Sequence, residues 1–135
     1  TFDYFTEAVN GESGAIRTDF FPSEDDNLLV QGVQGNVNAM GFFGFAYYSE
    51  NPDTLKALEI DGGDGCTPPS AENIENNSYT PLSRPLFIYV NAEAADSVEG
   101  LDAFIDFYLA PENVELIEDT GYAVYGEDIY GAVQE

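Results

Sequence analysis

The sequence predicts an α/β protein with a mainly parallel sheet, divided between two lobes rather than gathered into one complete sheet. Three observations lead there. Leu86-Phe-Ile-Tyr-Val90 is an unbroken apolar run rich in β-branched and aromatic residues, as expected of a strand covered on both faces. Helical spacings alternate along the chain with short strand-like apolar runs. Between them lies Tyr79-Thr-Pro-Leu-Ser-Arg-Pro85, where Pro81 and Pro85 keep Thr80 and Arg84 out of a helix. An extended, proline-marked crossing that feeds a buried strand suits a passage from one lobe to another.

Taken in order, the first element is a helix over Thr1 to Val9. Phe2, Phe5 and Val9 share a face, Thr1 stands at the N-cap, Asp3 lies in the first turn, and Asn10-Gly11 closes it. Ile16 to Phe21 reads as a short extended piece ending at Pro22. Ser23-Glu-Asp-Asp26 fits a capping box for a helix over Asn27 to Val33, with Gly35 suited to a left-handed C-cap. Asn38-Ala-Met-Gly-Phe-Phe-Gly44 reads as a buried strand in which Gly41 and Gly44 permit close backbone packing, and Phe45 to Glu50 as one or two helical turns. The Phe and Tyr cluster here fits core packing better than a ligand face.

Leu55-Lys-Ala-Leu-Glu-Ile60 alternates as a half-buried strand does. Asp61-Gly-Gly-Asp-Gly65 lacks the acid ladder and closing Glu of a calcium loop and reads as a turn. Ser70 caps a short helix to Glu75. Beyond the crossing, Asp96-Ser-Val-Glu99 opens the strongest helix, with Val98, Leu101, Phe104, Ile105 and Tyr108 on one stripe. Pro111 opens another to about Asp119, closed by Gly121. Tyr122 to Tyr125 is expected to be extended, and the last ten residues to form a weak helix.

Composition narrows the function classes. Ten Phe and nine Tyr among 135 residues supply core material, so disorder is not expected. The chain carries 26 acidic residues against Arg17, Lys56 and Arg84, a formal net charge of −23. The acids are scattered rather than blocked, which argues against an acidic tail or a polycation-binding surface. They suit molar salt, where the screening length falls to about 3 Å, and hence a halophile's protein with an acidic surface. Three basic residues cannot make a phosphate-neutralising surface for nucleic acid. No run of 18 apolar residues is present.

With no His, neither a Ser-His-Asp nor a Cys-His arrangement can form. Cys66 therefore reads as a structural thiol, and Glu24-Asp25-Asp26 as helix-terminal acids rather than a cation site. No phosphate loop or dinucleotide-binding glycine motif occurs. What remains is a helix N-terminus with free backbone N–H groups and a Thr hydroxyl, which Thr1 to Asp3 supply.

Four blocks in order carry a resemblance: Thr1-Phe-Asp-Tyr-Phe-Thr-Glu-Ala8, Ser23-Glu-Asp-Asp-Asn-Leu-Leu-Val-Gln-Gly-Val33, Gly41-Phe-Phe-Gly-Phe-Ala-Tyr-Tyr48 and Ser78 to Asn91. Together they resemble the phosphate-binding protein of ABC-type phosphate importers, over residues 1 to about 125. The resemblance implies part of a two-lobe, type II periplasmic-binding-protein-like fold. Residues 1–80 would make most of the second lobe, and residues 81–135 the returning C-terminal segment of the first.

It also implies binding without catalysis, no cofactor and no metal. Thr1 matches the last residue of the family's Ser-Gly-Thr step, so Thr1 and the N–H groups of Phe2 and Asp3 would face phosphate oxygens. The Ser and Gly of that step, and the family's upstream Arg and Asp, are not in this sequence. The implied partners are inorganic phosphate, the missing N-terminal half of the same protein and a membrane permease. The implied location is the extracellular face of the membrane or the periplasm, with a lipid anchor through that missing half. Phe42, Phe43, Phe87 and Tyr89 are then expected to need that half as cover. A structural or adhesion module of a halophile's surface reusing the fold is the alternative, and a phosphatase on the same scaffold ranks third.

Overall fold

In a computed structural model, residues 1–124 are described. They form seven α-helices, one 3₁₀ turn and one two-stranded antiparallel ladder. Helix α1 spans Phe2–Asn10, with Thr1 at its N-cap and Gly11 in the left-handed region at φ 81° as its C-cap. Both ends lie where the residue types place them.

Helix α2 spans Asp26–Gln34, and its N-cap is Asp25 rather than Ser23. The Asp25 carboxylate accepts the Asn27 N–H at 3.0 Å, while the Ser23 hydroxyl accepts the N–H of Asp25 and so turns the chain ahead of the cap. Gly35 ends α2 at φ −77°, not in the expected left-handed conformation, and its N–H donates to the Gln31 carbonyl at 2.9 Å. Helix α3 spans Phe45–Ser49 and packs on α2. Gln34 ties α2 to the turn that follows α3 by donating to Asn51 and Thr54.

Strands β1 (Ile60–Asp61) and β2 (Cys66–Thr67) pair antiparallel across the Asp61–Gly65 turn. The turn is closed by the Asp61 carboxylate, which accepts from the N–H groups of Gly63 and Gly65. Cys66 is a free thiol there and is exposed. Helix α4 (Ala71–Glu75) is capped by the Ser70 hydroxyl, as expected.

The single helix expected from Asp96 is two. Helix α5 spans Ala92–Ser97 and α6 spans Leu101–Leu109, separated by Gly100 at φ 84°. A left-handed residue cannot continue a right-handed helix, so the apolar stripe is broken after Val98. The 3₁₀ turn Pro111–Asn113 leads into α7 (Val114–Glu118), and Gly121 follows at φ 82°. Tyr122 to Val124 have no regular structure. Tyr125 and the helix expected over the last ten residues lie outside the described residues.

The mainly parallel sheet is not what the described residues form. Residues 38–44, 55–59 and 86–90 are irregular, and the ladder that does form is antiparallel. A strand acquires its hydrogen bonds from neighbouring backbone, and no other described segment makes ladder hydrogen bonds with these runs. Leu86 to Val90 are therefore exposed, Tyr89 by 89% and Phe87 by 64%, where burial on both faces was expected. Phe104, Phe107 and Tyr108 on α6 are exposed as well.

Among the described residues Val30 and Thr6 are buried, and the chain exposes 10171 Å². A folded monomer of this mass exposes about 6,900 Å². Apolar faces of the right composition are present without the elements that would cover them.

The crossing is held to the first part of the chain at four points. The Tyr79 hydroxyl donates to the Leu58 carbonyl at 3.1 Å, and burial raises its phenol pKa. The Tyr4 hydroxyl donates to the Pro81 carbonyl, the Arg84 guanidinium stacks over the Tyr4 ring, and Gly62 abuts the Thr80 carbonyl.

Candidate functional site

The first turn of α1 is where the residues suggest an anion site. Thr1, Phe2 and Asp3 are all exposed, and the Thr1 hydroxyl makes no capping hydrogen bond. At a helix start the first N–H groups have no carbonyl of their own helix to meet, and they sit at the positive end of its dipole. Such a terminus offers directed donors and no basic side chain.

The turn is tightly organised from behind. The Phe5 N–H donates to the Thr1 carbonyl at 2.9 Å, which fixes the Thr1–Phe2 peptide plane. The Thr6 hydroxyl donates to the Phe2 carbonyl at 2.9 Å, with the Asp3 carbonyl 3.1 Å away, and accepts the Gly14 N–H at 2.8 Å. Ser13 donates to the Asp3 carboxylate at 3.2 Å. The loop after α1 thus runs back beside the helix. Thr6 is fully buried, yet nothing in its sequence context distinguishes it from any other helical Thr, so sequence reasoning passes it over.

An aromatic stack supports the same turn. The Phe2 ring lies 5.9 Å from that of Phe20 and 6.4 Å from that of Phe42, and Phe42 stacks on Phe5 with ring centres 3.9 Å apart. The Phe cluster around residue 42 is packing against α1, as its composition suggested. Gly41 keeps the chain close there, since a Cβ on it would come within 2.9 Å of the Val33 side chain.

Two of the three basic residues, Arg17 and Arg84, are engaged in other contacts. Arg17 holds Asp19 in a two-pronged pair at 2.6 and 2.8 Å, which lowers the carboxylate pKa and raises that of the guanidinium. Arg84 stacks on Tyr4. Two cavities of about 210 and 200 Å³ lie apart from Thr1 to Asp3. The first is between α3, α4 and the Gly121 turn, and the second lies between the β1–β2 turn and the crossing. Among the described residues no group of three acids or Cys has the placement to hold a metal ion.

Comparison with known proteins identifies the relatives of this chain. It is 49% identical over 130 residues to protein SphX of Synechocystis, and 47% identical over 110 residues to protein SphX of Synechococcus elongatus. It is 36% identical over 132 residues to the phosphate-binding protein PstS of Staphylococcus aureus. The chain is homologous to phosphate-binding proteins. These alignments take in 96%, 81% and 96% of the chain but 38%, 32% and 38% of the relatives, so the chain spans about a third of their length. No family model matches it, and no solved structure does.

Proposed function

We propose that this chain is part of a protein that binds inorganic phosphate and delivers it to an ABC-type importer, without catalysing a reaction on it. The homology to phosphate-binding proteins, continuous over nearly all of the chain, carries the reading. The ligands contributed here are the Thr1 hydroxyl and the N–H groups of Phe2 and Asp3, at the positive end of α1. Neutral donors aimed at a tetrahedral anion suit a dehydrated phosphate, because each hydrogen bond to a charged oxygen is about twice as strong as a neutral one.

In this reading the protein works outside the cytoplasmic membrane beside its permease, and has two lobes of the periplasmic-binding-protein type. Residues 1–80 make most of one lobe, and residues 81–135 return to the other. The exposed run Leu86–Val90 supports such an arrangement, since it has the composition of a central strand and lacks neighbours here. The remainder of the protein would supply those neighbours together with the other phosphate ligands. The scattered acids suit a salt-rich setting, where screening allows an anion to approach a surface of charge −23.

Calorimetric titration of the full-length protein with phosphate, and with sulfate as comparison, tests the proposal. Phosphate is expected to bind, and Thr1→Val to weaken it roughly tenfold by removing one charge-assisted hydrogen bond. Absence of phosphate binding by the unaltered protein overturns the reading of function. Unchanged affinity in Thr1→Val overturns the reading of the site.

A further inference from the structure

We propose that Thr6 is a positioning residue for the anion site, and that its hydroxyl sets the direction and strength of the Asp3 N–H. The inference rests on the phosphate-site reading above. It starts from an unusual burial: the one side chain fully enclosed among the described residues is a threonine, in a chain with 44% hydrophobic residues.

A hydroxyl has one proton to give and two lone pairs to fill. Thr6 gives its proton to the Phe2 carbonyl at 2.9 Å and receives that of Gly14 at 2.8 Å. The Phe2 carbonyl and the Asp3 N–H are the two ends of one planar peptide unit. Whatever fixes the oxygen at one end fixes the N–H at the other. The Phe2 carbonyl also accepts the Thr6 backbone N–H in the ordinary helical pattern, so the hydroxyl is a second donor to it. A peptide whose oxygen accepts more hydrogen bonds has a more polarised N–H, and chains of such bonds reinforce one another.

Hydroxyl bonds to the carbonyl one turn back are common for Thr in helices. Two features go beyond that habit. Gly14 feeds the hydroxyl from outside the helix, making a relay from the Gly14 N–H through Thr6 Oγ to the Phe2 carbonyl and the Asp3 N–H. Ser13, beside Gly14, holds the Asp3 carboxylate at 3.2 Å, so the same loop restrains the acid nearest the site.

The test compares the full-length protein with Thr6→Val, which keeps the shape and removes the hydroxyl, and with Thr6→Ser, which restores it. Phosphate affinity is expected to fall roughly threefold to tenfold in T6V and to recover in T6S. In amide NMR spectra, phosphate should shift both the Phe2 and Asp3 resonances in the unaltered protein. In T6V the Asp3 response should shrink while that of Phe2 persists. A structural role alone would weaken both amides together or neither. Equal affinity in T6V, or equal loss at both amides, overturns the proposal. If T6V fails to fold, the Thr6 hydroxyl proton of the unaltered protein gives the answer. Being buried, it exchanges slowly, and it should shift when phosphate is added; a resonance unmoved at saturation also overturns the proposal. An unaltered protein that binds phosphate with no response at Phe2 and Asp3 removes the site itself. One that binds no phosphate removes the function.

Discussion

The Arg84 guanidinium lies 5.1 Å from the centre of the Tyr4 ring, while the Tyr4 hydroxyl donates to the Pro81 carbonyl. One aromatic side chain of α1 thus grips the crossing at two points, 77 and 80 residues away in sequence. Tyr4→Phe keeps the stacking and loses the hydrogen bond, at a cost of about 1 kcal/mol. Arg84→Ala loses the cation–π contact at an exposed site, about 0.5–1 kcal/mol. Denaturant unfolding of the full-length protein should show both losses, and the double change should fall short of their sum if the two contacts cooperate.

Two glycines should respond oppositely to alanine. A Cβ on Gly62 would lie 2.6 Å from the Thr80 backbone carbonyl, so Gly62→Ala must push the crossing away and cost about 1–3 kcal/mol. A Cβ on Gly32, inside α2, meets nothing within 4 Å. Gly32→Ala should therefore stabilise by about 0.5–1 kcal/mol through helix propensity and a less flexible unfolded chain. Denaturation midpoints of the two variants decide the matter.

The Asp61 carboxylate accepts two backbone N–H groups, which hold its pKa below the ordinary value of 3.8. A depressed folded-state pKa means that the carboxylate's stabilising contribution is present above the unfolded value and disappears as pH falls through the folded one. Stability should decline below about pH 4 for this reason. Asp61→Asn, which keeps an accepting oxygen, should remove this part of the decline. Carboxyl carbon shifts recorded against pH should give Asp61 a midpoint below the ordinary aspartate value. A midpoint at or above that ordinary value would contradict the turn geometry.

Salt should help this protein. With a formal charge of −23, like-charge repulsion opposes compaction at low ionic strength and is screened at about 3 Å in molar salt. Stability of the full-length protein should rise from low to molar KCl, and phosphate affinity should hold or rise. A steep loss of affinity over that range would count against salt adaptation.

Expressed alone, these 135 residues should not melt as a sharp two-state monomer. Exposed Leu86–Val90 and the α6 aromatics should instead bind an apolar dye or drive association. Scanning calorimetry with light scattering distinguishes the outcomes.

Residue order by itself determined most of the local structure. Thr1 and Gly11 bound α1, Ser70 caps α4, Pro111 opens a helical turn and the Asp61 glycines form a closed turn, all where the residue types placed them. It also removed whole classes of chemistry, since a chain without His cannot build the usual nucleophile–base pairs. These features depend on bonds made within a few residues, which is why they are legible one window at a time. Gly100 carried a signal that the apolar stripe masked: a glycine inside a proposed helix is a warning of the left-handed break that splits α5 from α6.

The tertiary structure decided the rest. The choice of Asp25 over Ser23 as cap depends on how the chain enters α2, and the burial of Thr6 on a loop that folds back to meet it. The apolar runs at 38–44 and 86–90 show the same dependence most plainly. Composition marks them as strand material, but a strand is a relation between two stretches of backbone. Without the neighbour, residues 86–90 stay irregular and exposed, while at 38–44 Phe42 packs on Phe5 instead of in a sheet.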